Sequence, residues 1–147
     1  MIDRFKNGNP DNDHIIKRDK PTAKLRGFEG GDIRGVIQKL DEGYFDKLGI
    51  TAIWMTPVVE QIHGSVDEGT GNTYGFHGYW TKDWTAIDPS FGTREDLKEL
   101  VTKAHDTVNS ELLIYPIELL IPSVCNSIIS ILFSFLFNYT IIISYFF

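Results

Sequence analysis

The sequence predicts an α/β protein built on parallel strands, and three observations carry that prediction. The run ITAIWMTPV at 50–58 is short, almost continuously apolar, rich in β-branched and aromatic residues, and bounded by Gly49 and Pro57. That is how a strand buried on both faces reads. Segments with helical apolar spacing flank it, one starting at Asp32 and one at Thr93, and a long loop at 60–92 separates the strand from the second helix. Strand, loop and helix in alternation are the beginning of β/α units, hence of a parallel sheet.

Residues 1–5 are a short apolar piece that reads as the end of a strand. Residues 7–14, NGNPDNDH, crowd Asn7, Asn9, Asp11, Asn12 and Asp13 around Gly8 and Pro10. Such residues make turns for backbone reasons alone. They also supply oxygens at the density a Ca²⁺ ion needs, six to eight in its shell. The spacing is not that of an EF-hand, because Ile15 offers no oxygen at the fifth loop position and no glycine follows it. Residues 15–31 carry Lys17, Arg18, Lys20, Lys24 and Arg26 without apolar periodicity, which reads as an exposed loop. No aromatic platform is interleaved with these cations, so they do not make a nucleic-acid arm.

The first helix is expected from the N-cap residue Asp32, with Ile33, Val36, Ile37, Leu40, Tyr44 and Leu48 on one stripe and Gly49 ending it. The second opens on Thr93 with Asp96 three residues on, a variant of the capping box, and buries Leu97, Leu100, Val101 and Ala104. Between them lies GNTYGFHGYWTKDWTAIDPSFG at 71–92, where Phe76, His77, Tyr79, Trp80 and Trp84 are too irregularly spaced for one face of a helix or strand. Gly75 and Gly78 let the backbone pass close to whatever those rings face. Flat rings beside an imidazole suit a sugar, whose C–H faces stack on aromatics while its hydroxyls take hydrogen bonds. A loop tied down by buried aromatics would carry the same residues. This loop leaves the carboxyl end of the strand, where β/α barrels place their chemistry.

The charge divides the chain. All 14 Lys and Arg lie at or before Lys103, and after it the only charged residues are Asp106, Glu111 and Glu118. The net charge of −6 argues against a nucleic-acid partner. The single Cys125 gives no internal disulfide and no metal motif. The amino-terminal MIDRFKNGNPDNDH has no apolar h-region of an export signal. Residues 119–147 carry no charge at all, and the 36 residues from 112 hold nine Ile and five Phe. By length and apolarity this stretch qualifies as a transmembrane candidate. Pro116 and Pro122, interspersed Ser and Asn, and the lack of flanking Lys or Arg weigh against an anchor, and the Ile/Phe bias favours A/T-rich DNA read through as protein.

The strings IDRF, GGD, GITAIWMTP, HGYW at 77–80 and DPSFGTREDLKELV at 88–101 together resemble the α-amylase superfamily, glycoside hydrolase family 13. The resemblance spans 1–106 and implies the first two β/α units of a TIM-type (β/α)8 barrel, incomplete, with 107–147 as an unrelated apolar tail. In that family a third apolar strand ending in Asp and an Asn-His pair follows the second helix. Here agreement stops at His105-Asp106, and no such strand is expected. The resemblance places His77 and Tyr79 in the sugar subsite beside the cleaved bond, with Tyr79 stacking on the ring and Trp80 adjoining them. In the cyclodextrin glucanotransferase-like branch a similar amino-terminal loop binds a structural calcium. The matching positions are Asn7, Asn9, Asn12, Asp13, the Gly30 carbonyl and Asp32, with Asn at 7 where those relatives often have Asp.

The implied partner is an α-glucan of the starch class or a maltooligosaccharide, cleaved with retention through two carboxylates about 5 Å apart. The family carries its nucleophile, its acid/base and a third aspartate on strands four, five and seven, which these 147 residues do not include. The expectation is therefore a catalytically inert polypeptide with sugar-contact groups. A protein of another class, a membrane-tethered carbohydrate binder anchored by the tail, is the alternative.

Overall fold

The computed structural model describes residues 1–108 and 111–114. Ile2–Arg4 form a 3-10 turn closed by the Phe5 N–H on the Ile2 carbonyl at 2.9 Å, not the expected strand end. No strand among the described residues pairs with it. Its backbone is satisfied by residues distant in the chain: the Ile2 N–H donates to Thr56 Oγ1 at 3.3 Å, and the Asp3 carbonyl accepts from the Gly31 N–H at 2.9 Å.

Helix α1, Ile33–Asp41, starts where expected, its N-cap Asp32 accepting from the Gly35 N–H at 2.7 Å. It buries Ile33, Val36, Ile37 and Leu40. It also stops early. Gly43 adopts φ +64, and a second helix, α2 at Tyr44–Leu48, follows before Gly49 ends it at φ +69. The spacing Leu40, Tyr44, Leu48 continues across the break, so periodicity alone could not reveal it. The left-handed glycine turns the stripe instead: Phe45 is buried, while Tyr44 and Leu48 are exposed.

Strand β1 is Ala52–Met55, shorter than expected and buried on one side only, with Met55 at 4% exposure and Trp54 at 69%. Its apolar run prepared it for cover on both faces, and the described residues supply cover on one. Two antiparallel pairs then fill what the sequence presents as a single loop. Strand β2, Val59–Gln61, pairs with β5, Thr81–Ile87, with register shifts on both sides of Glu60. Strands β3, Ser65–Asp67, and β4, Asn72–Tyr74, form a hairpin beyond them.

Helix α3, Arg94–Val108, carries the capping box in full: the Asp96 N–H donates to Thr93 Oγ1 at 3.1 Å and the Thr93 N–H to Asp96 Oδ2 at 2.8 Å. Burial alone would raise the Asp96 carboxyl, but the Thr93 hydrogen bonds and the Arg34 charge outweigh it and hold it below the ordinary carboxylate range. Leu97, Leu100 and Ala104 meet Ile33, Val36, Ile37 and Leu40 of α1, with Phe91, Val58 and Met55 completing the core.

After α3 the chain returns as β6, Glu111–Ile114, parallel to β1 in the register Ala52↔Glu111 to Met55↔Ile114. This corrects the expectation that no third strand follows. The β1–α3–β6 order is a parallel crossover unit, which needs a helix to carry the chain back. The short segment ELLI lacks the family's Asp and Asn-His ending, but its extended backbone offers the N–H and C=O groups that a parallel neighbour pairs with. Of the apolar tail expected at 107–147, all but 107–108 and 111–114 lies outside the described residues, the uncharged stretch 119–147 included. Among the described residues no helix is long and apolar enough to cross a membrane.

Leu100 is fully buried between the two helices. Leu100→Ala should lower the unfolding free energy by about 2–5 kcal/mol, through lost transfer energy and the cavity left behind. The solvent-facing Lys98→Ala should stay within about 0.5 kcal/mol, and urea titration of both variants checks the contrast.

Candidate functional site

The aromatic loop is held from below. A Cβ on Gly78, at φ +92, would lie 2.1 Å from the Pro57 carbonyl oxygen, so only glycine lets the loop lie on the end of β1. The Ile62 N–H donates to the Trp80 carbonyl at 2.7 Å and the Trp80 N–H donates to Gln61 Oε1 at 3.0 Å. Within that frame the Tyr79 N–H donates to His77 Nδ1 at 3.0 Å. Nδ1 is therefore the acceptor nitrogen, and in the neutral ring the proton sits on Nε2, leaving that nitrogen as a donor.

The rings cluster around His77. Tyr79 stacks on it with centroids 5.7 Å apart and planes inclined by 29°, Trp80 meets it edge-on at 5.4 Å, and Phe76 packs on it at 5.1 Å. The Arg4 guanidinium covers the Phe76 ring at 4.5 Å, tying the loop to the amino-terminal turn. Tyr79 is 59% exposed. The structure thus brings His77, Tyr79 and Trp80 together. Trp84 stands on β5 and has no ring contact with them among the described residues. Burial pushes His77 below the ordinary histidine value, and the Glu68 charge opposes that only in part.

The second predicted set lies in the amino-terminal loop. Asn9 caps the short turn Pro10–Asn12, its Oδ1 accepting from the Asp11 N–H. Asp32 is fully buried and saturated. Its Oδ1 accepts from the Gly8 and Gly35 N–H groups at 3.0 and 2.7 Å, and its Oδ2 from the Asn9 N–H at 2.8 Å and Asn12 Nδ2 at 3.2 Å. Asn7 Nδ2 donates to Asp13 Oδ2 at 2.8 Å. Three oxygens remain buried without a hydrogen-bond partner: Asn7 Oδ1, Asn12 Oδ1 and Asp13 Oδ1. Gly30, at φ +91, brings its backbone against them, since a Cβ there would lie 2.8 Å from Asp13 Oδ1.

Buried oxygens without donors are costly unless a cation or water meets them. An oxygen-only set suits a hard cation such as Ca²⁺. The six predicted positions do converge, but the side-chain oxygens of Asn9 and Asp32 are already engaged with backbone donors. Among the described residues no group of three or more His, Cys, Asp or Glu is placed to hold a metal; the free oxygens here come mainly from asparagines.

Sequence reasoning missed Gln61 and the structural part of Asp88. Asp88 Oδ1 accepts from the Ser90 N–H and Oδ2 from the Gln61 N–H, each at 2.9 Å. The Asp-Pro-Ser order is an Asx-turn signal that could have indicated the first of these bonds. Nothing in the local pattern around Gln61 marks it.

A parallel strand–helix–strand unit with an aromatic loop at the carboxyl end of its first strand is the binding-face architecture of a β/α-barrel enzyme. Residues 1–109 match the alpha amylase catalytic domain, and the chain belongs to that family. It is 45% identical over 109 residues to the periplasmic alpha-amylase of Escherichia coli (strain K12), covering 71% of this chain and 16% of that protein. It is 39% identical over 106 residues to a cyclomaltodextrin glucanotransferase of Bacillus sp. (strain 1011), covering 71% of this chain and 15% of that protein. Among solved structures it is similar to CldA, a cyclomaltodextrin glucanotransferase with a three-domain ABC distribution. There the TM-score is 0.67 with 34% identity, over 78% of this chain and 23% of that one. The chain thus spans about a sixth of the length of the curated relatives it matches.

The His77 environment sets a pH dependence with a definite sign. Its folded proton affinity lies below the ordinary 6.5, so below that pH the unfolded chain binds the proton more readily than the folded one. The neutral ring costs the fold nothing above pH 6.5, and stability should fall as the pH drops from there through the folded value. Protonation at Nδ1 also removes the acceptor for the Tyr79 N–H. Nitrogen NMR of His77 should give a midpoint below 6.5 with the proton on Nε2 in the neutral form; a midpoint above 6.5 contradicts this.

Proposed function

We propose that the loop carrying His77, Tyr79 and Trp80 forms part of a subsite for one glucose unit of a starch-type α-glucan or maltooligosaccharide. The observation that carries this reading is the open Tyr79 ring stacked on a histidine whose tautomer is fixed by the Tyr79 N–H. A sugar's C–H face stacks on Tyr79, and the His77 Nε2–H donates to a hydroxyl or ring-side oxygen. The edge-on Trp80 holds the imidazole upright. The kinship with an alpha-amylase and a cyclomaltodextrin glucanotransferase supports an α-glucosidic substrate over other sugars.

Binding and cleavage separate at this point. Retaining cleavage needs a nucleophile and a proton donor flanking the bond. The acidic side chains around the loop are committed elsewhere: Glu60 to Lys82, Glu68 to Arg26 and Thr73, Asp83 to Thr85, and Asp88 to Gln61 and Ser90. The Thr73 hydroxyl lowers the Glu68 carboxyl and the Thr85 hydroxyl lowers Asp83, the opposite of what a proton donor at neutral pH requires. In this reading the 147 residues bind glucan without hydrolysing it. Calorimetry with maltoheptaose should show binding that Tyr79→Ala weakens by roughly tenfold, about 1.4 kcal/mol of lost stacking, with no reducing ends released. Binding unchanged by Tyr79→Ala would overturn the assignment.

The amino-terminal loop in the same reading holds a structural Ca²⁺ through Asn7, Asn12 and Asp13 side-chain oxygens and the Gly30 carbonyl, with Asn9 and Asp32 shaping the loop. The three unpartnered buried oxygens support it. The ion would supply the positive charge those oxygens lack and fix the loop against α1. Calcium at a hundredfold excess over its dissociation constant should add about 2.7 kcal/mol of stability. Calorimetric melting with calcium and with EDTA checks this. Asp13→Ala should remove the difference, and a melt indifferent to calcium would refute the site.

A further inference from the structure

We propose that Gln61 is a positioning residue for the sugar subsite, an inference that rests on the glucan reading of the loop. Its side chain is almost completely buried and every polar group on it is used. The Gln61 N–H donates to Asp88 Oδ2 at 2.9 Å, Nε2 donates to the Val59 carbonyl at 2.9 Å, and Oε1 accepts from the Trp80 N–H at 3.0 Å. The register shifts flanking Glu60 break the regular β2–β5 ladder at this point. A side-chain amide takes over the pairing that the backbone leaves unmade. Gln61 reaches the other end of the loop as well, because a Cβ on Gly75 would lie 3.1 Å from the Gln61 Cβ.

Both ends of the segment 75–80 therefore rest on one residue. Gly75 packs against the stem of Gln61 and Trp80 hangs from its amide, while His77 and Tyr79 sit between them. The orientation of the amide is dictated as well. Oxygen must face the Trp80 donor and nitrogen the Val59 acceptor, so a carboxylate in its place would lose the donation to the Val59 carbonyl. The length is equally fixed, since asparagine is one methylene too short to span from β2 to the Trp80 N–H. Buried beneath the loop, Gln61 acts by setting the height and tilt of the His77–Tyr79 pair.

The test uses the full 147-residue chain with Gln61→Met, which keeps volume and loses the amide, and Gln61→Asn, which keeps the amide and loses the reach. Either variant that folds decides the question, with Leu100→Ala as a control that lowers stability away from the loop. Two readouts apply at a temperature where each protein is fully folded: the maltoheptaose dissociation constant, and the NMR signature of the Tyr79 N–H bonded to His77 Nδ1. The expected result is at least a tenfold weaker dissociation constant and loss of the Nδ1 signature in the Gln61 variants, with both retained in Leu100→Ala. Wild-type-like binding and an intact signature would overturn the inference. If wild type itself fails to bind maltoheptaose, the glucan reading falls and the positioning of a sugar falls with it. The signature alone then reports whether Gln61 holds the ring pair.

Discussion

The arrangement depends first on the buried carboxylate of Asp88. It stands at 2% exposure and gathers the chain from three directions. Its oxygens take the Gln61 and Ser90 N–H groups, its own N–H donates to the Val58 carbonyl at 3.0 Å, and its carbonyl accepts from Phe91 and Gly92. The Phe91 carbonyl in turn accepts from the Ile33 N–H at 2.9 Å, the first residue of α1. Asp88, with Phe91 beyond it, thus joins the exit of β1, the base of the aromatic loop, and the entries of both long helices. An isolated carboxylate at that depth would be strongly unfavourable, and hydrogen bonds from backbone donors are what make it tolerable.

Asp32 does the same work on the other side. Four N–H donors converge on its carboxylate, drawing the Asn-rich loop onto the start of α1. The two clamps are connected: Arg18 donates to the Ser90 hydroxyl at 3.0 Å and to the Asp13 carbonyl at 3.3 Å, with its guanidinium over the Phe28 ring. Burial lowers the Arg18 proton affinity, yet arginine stays charged across any ordinary pH. The Asn-rich amino-terminal loop and the aromatic loop consequently share one polar frame beneath the helices, while the apolar core lies between α1 and α3.

Much of this was legible in the residues. Apolar spacing found α1 and α3, and Thr93 with Asp96 marked the start of α3, because periodicity and caps are local properties of the chain. That His77 and Tyr79 belong to one cluster was expected from the HGYW string and the family resemblance, whereas their stacking on each other was not. Four things were not legible. Gly43 breaks a helix without breaking the spacing, so only its backbone angle shows it. The loop at 60–92 forms paired strands because tertiary contacts such as Trp80 to Gln61 set its register. Strand β6 is recognised by its parallel partner β1, since its four residues carry no signal of their own. The saturation of Asp32 was hidden for the same reason: a candidate ligand and an N-cap are the same residue type, and only the donors around it tell them apart.

The most direct measurement is a titration of the isotopically labelled chain with maltoheptaose, followed residue by residue through its backbone amide NMR signals. The account predicts saturable shifts centred on His77, Tyr79 and Trp80, with the cleft of about 470 Å³ beside Arg18 and Phe28 unmoved. Shifts centred on that cleft, or no saturable shifts at all, would contradict the claim that the aromatic loop of this alpha-amylase-family chain is a glucan subsite.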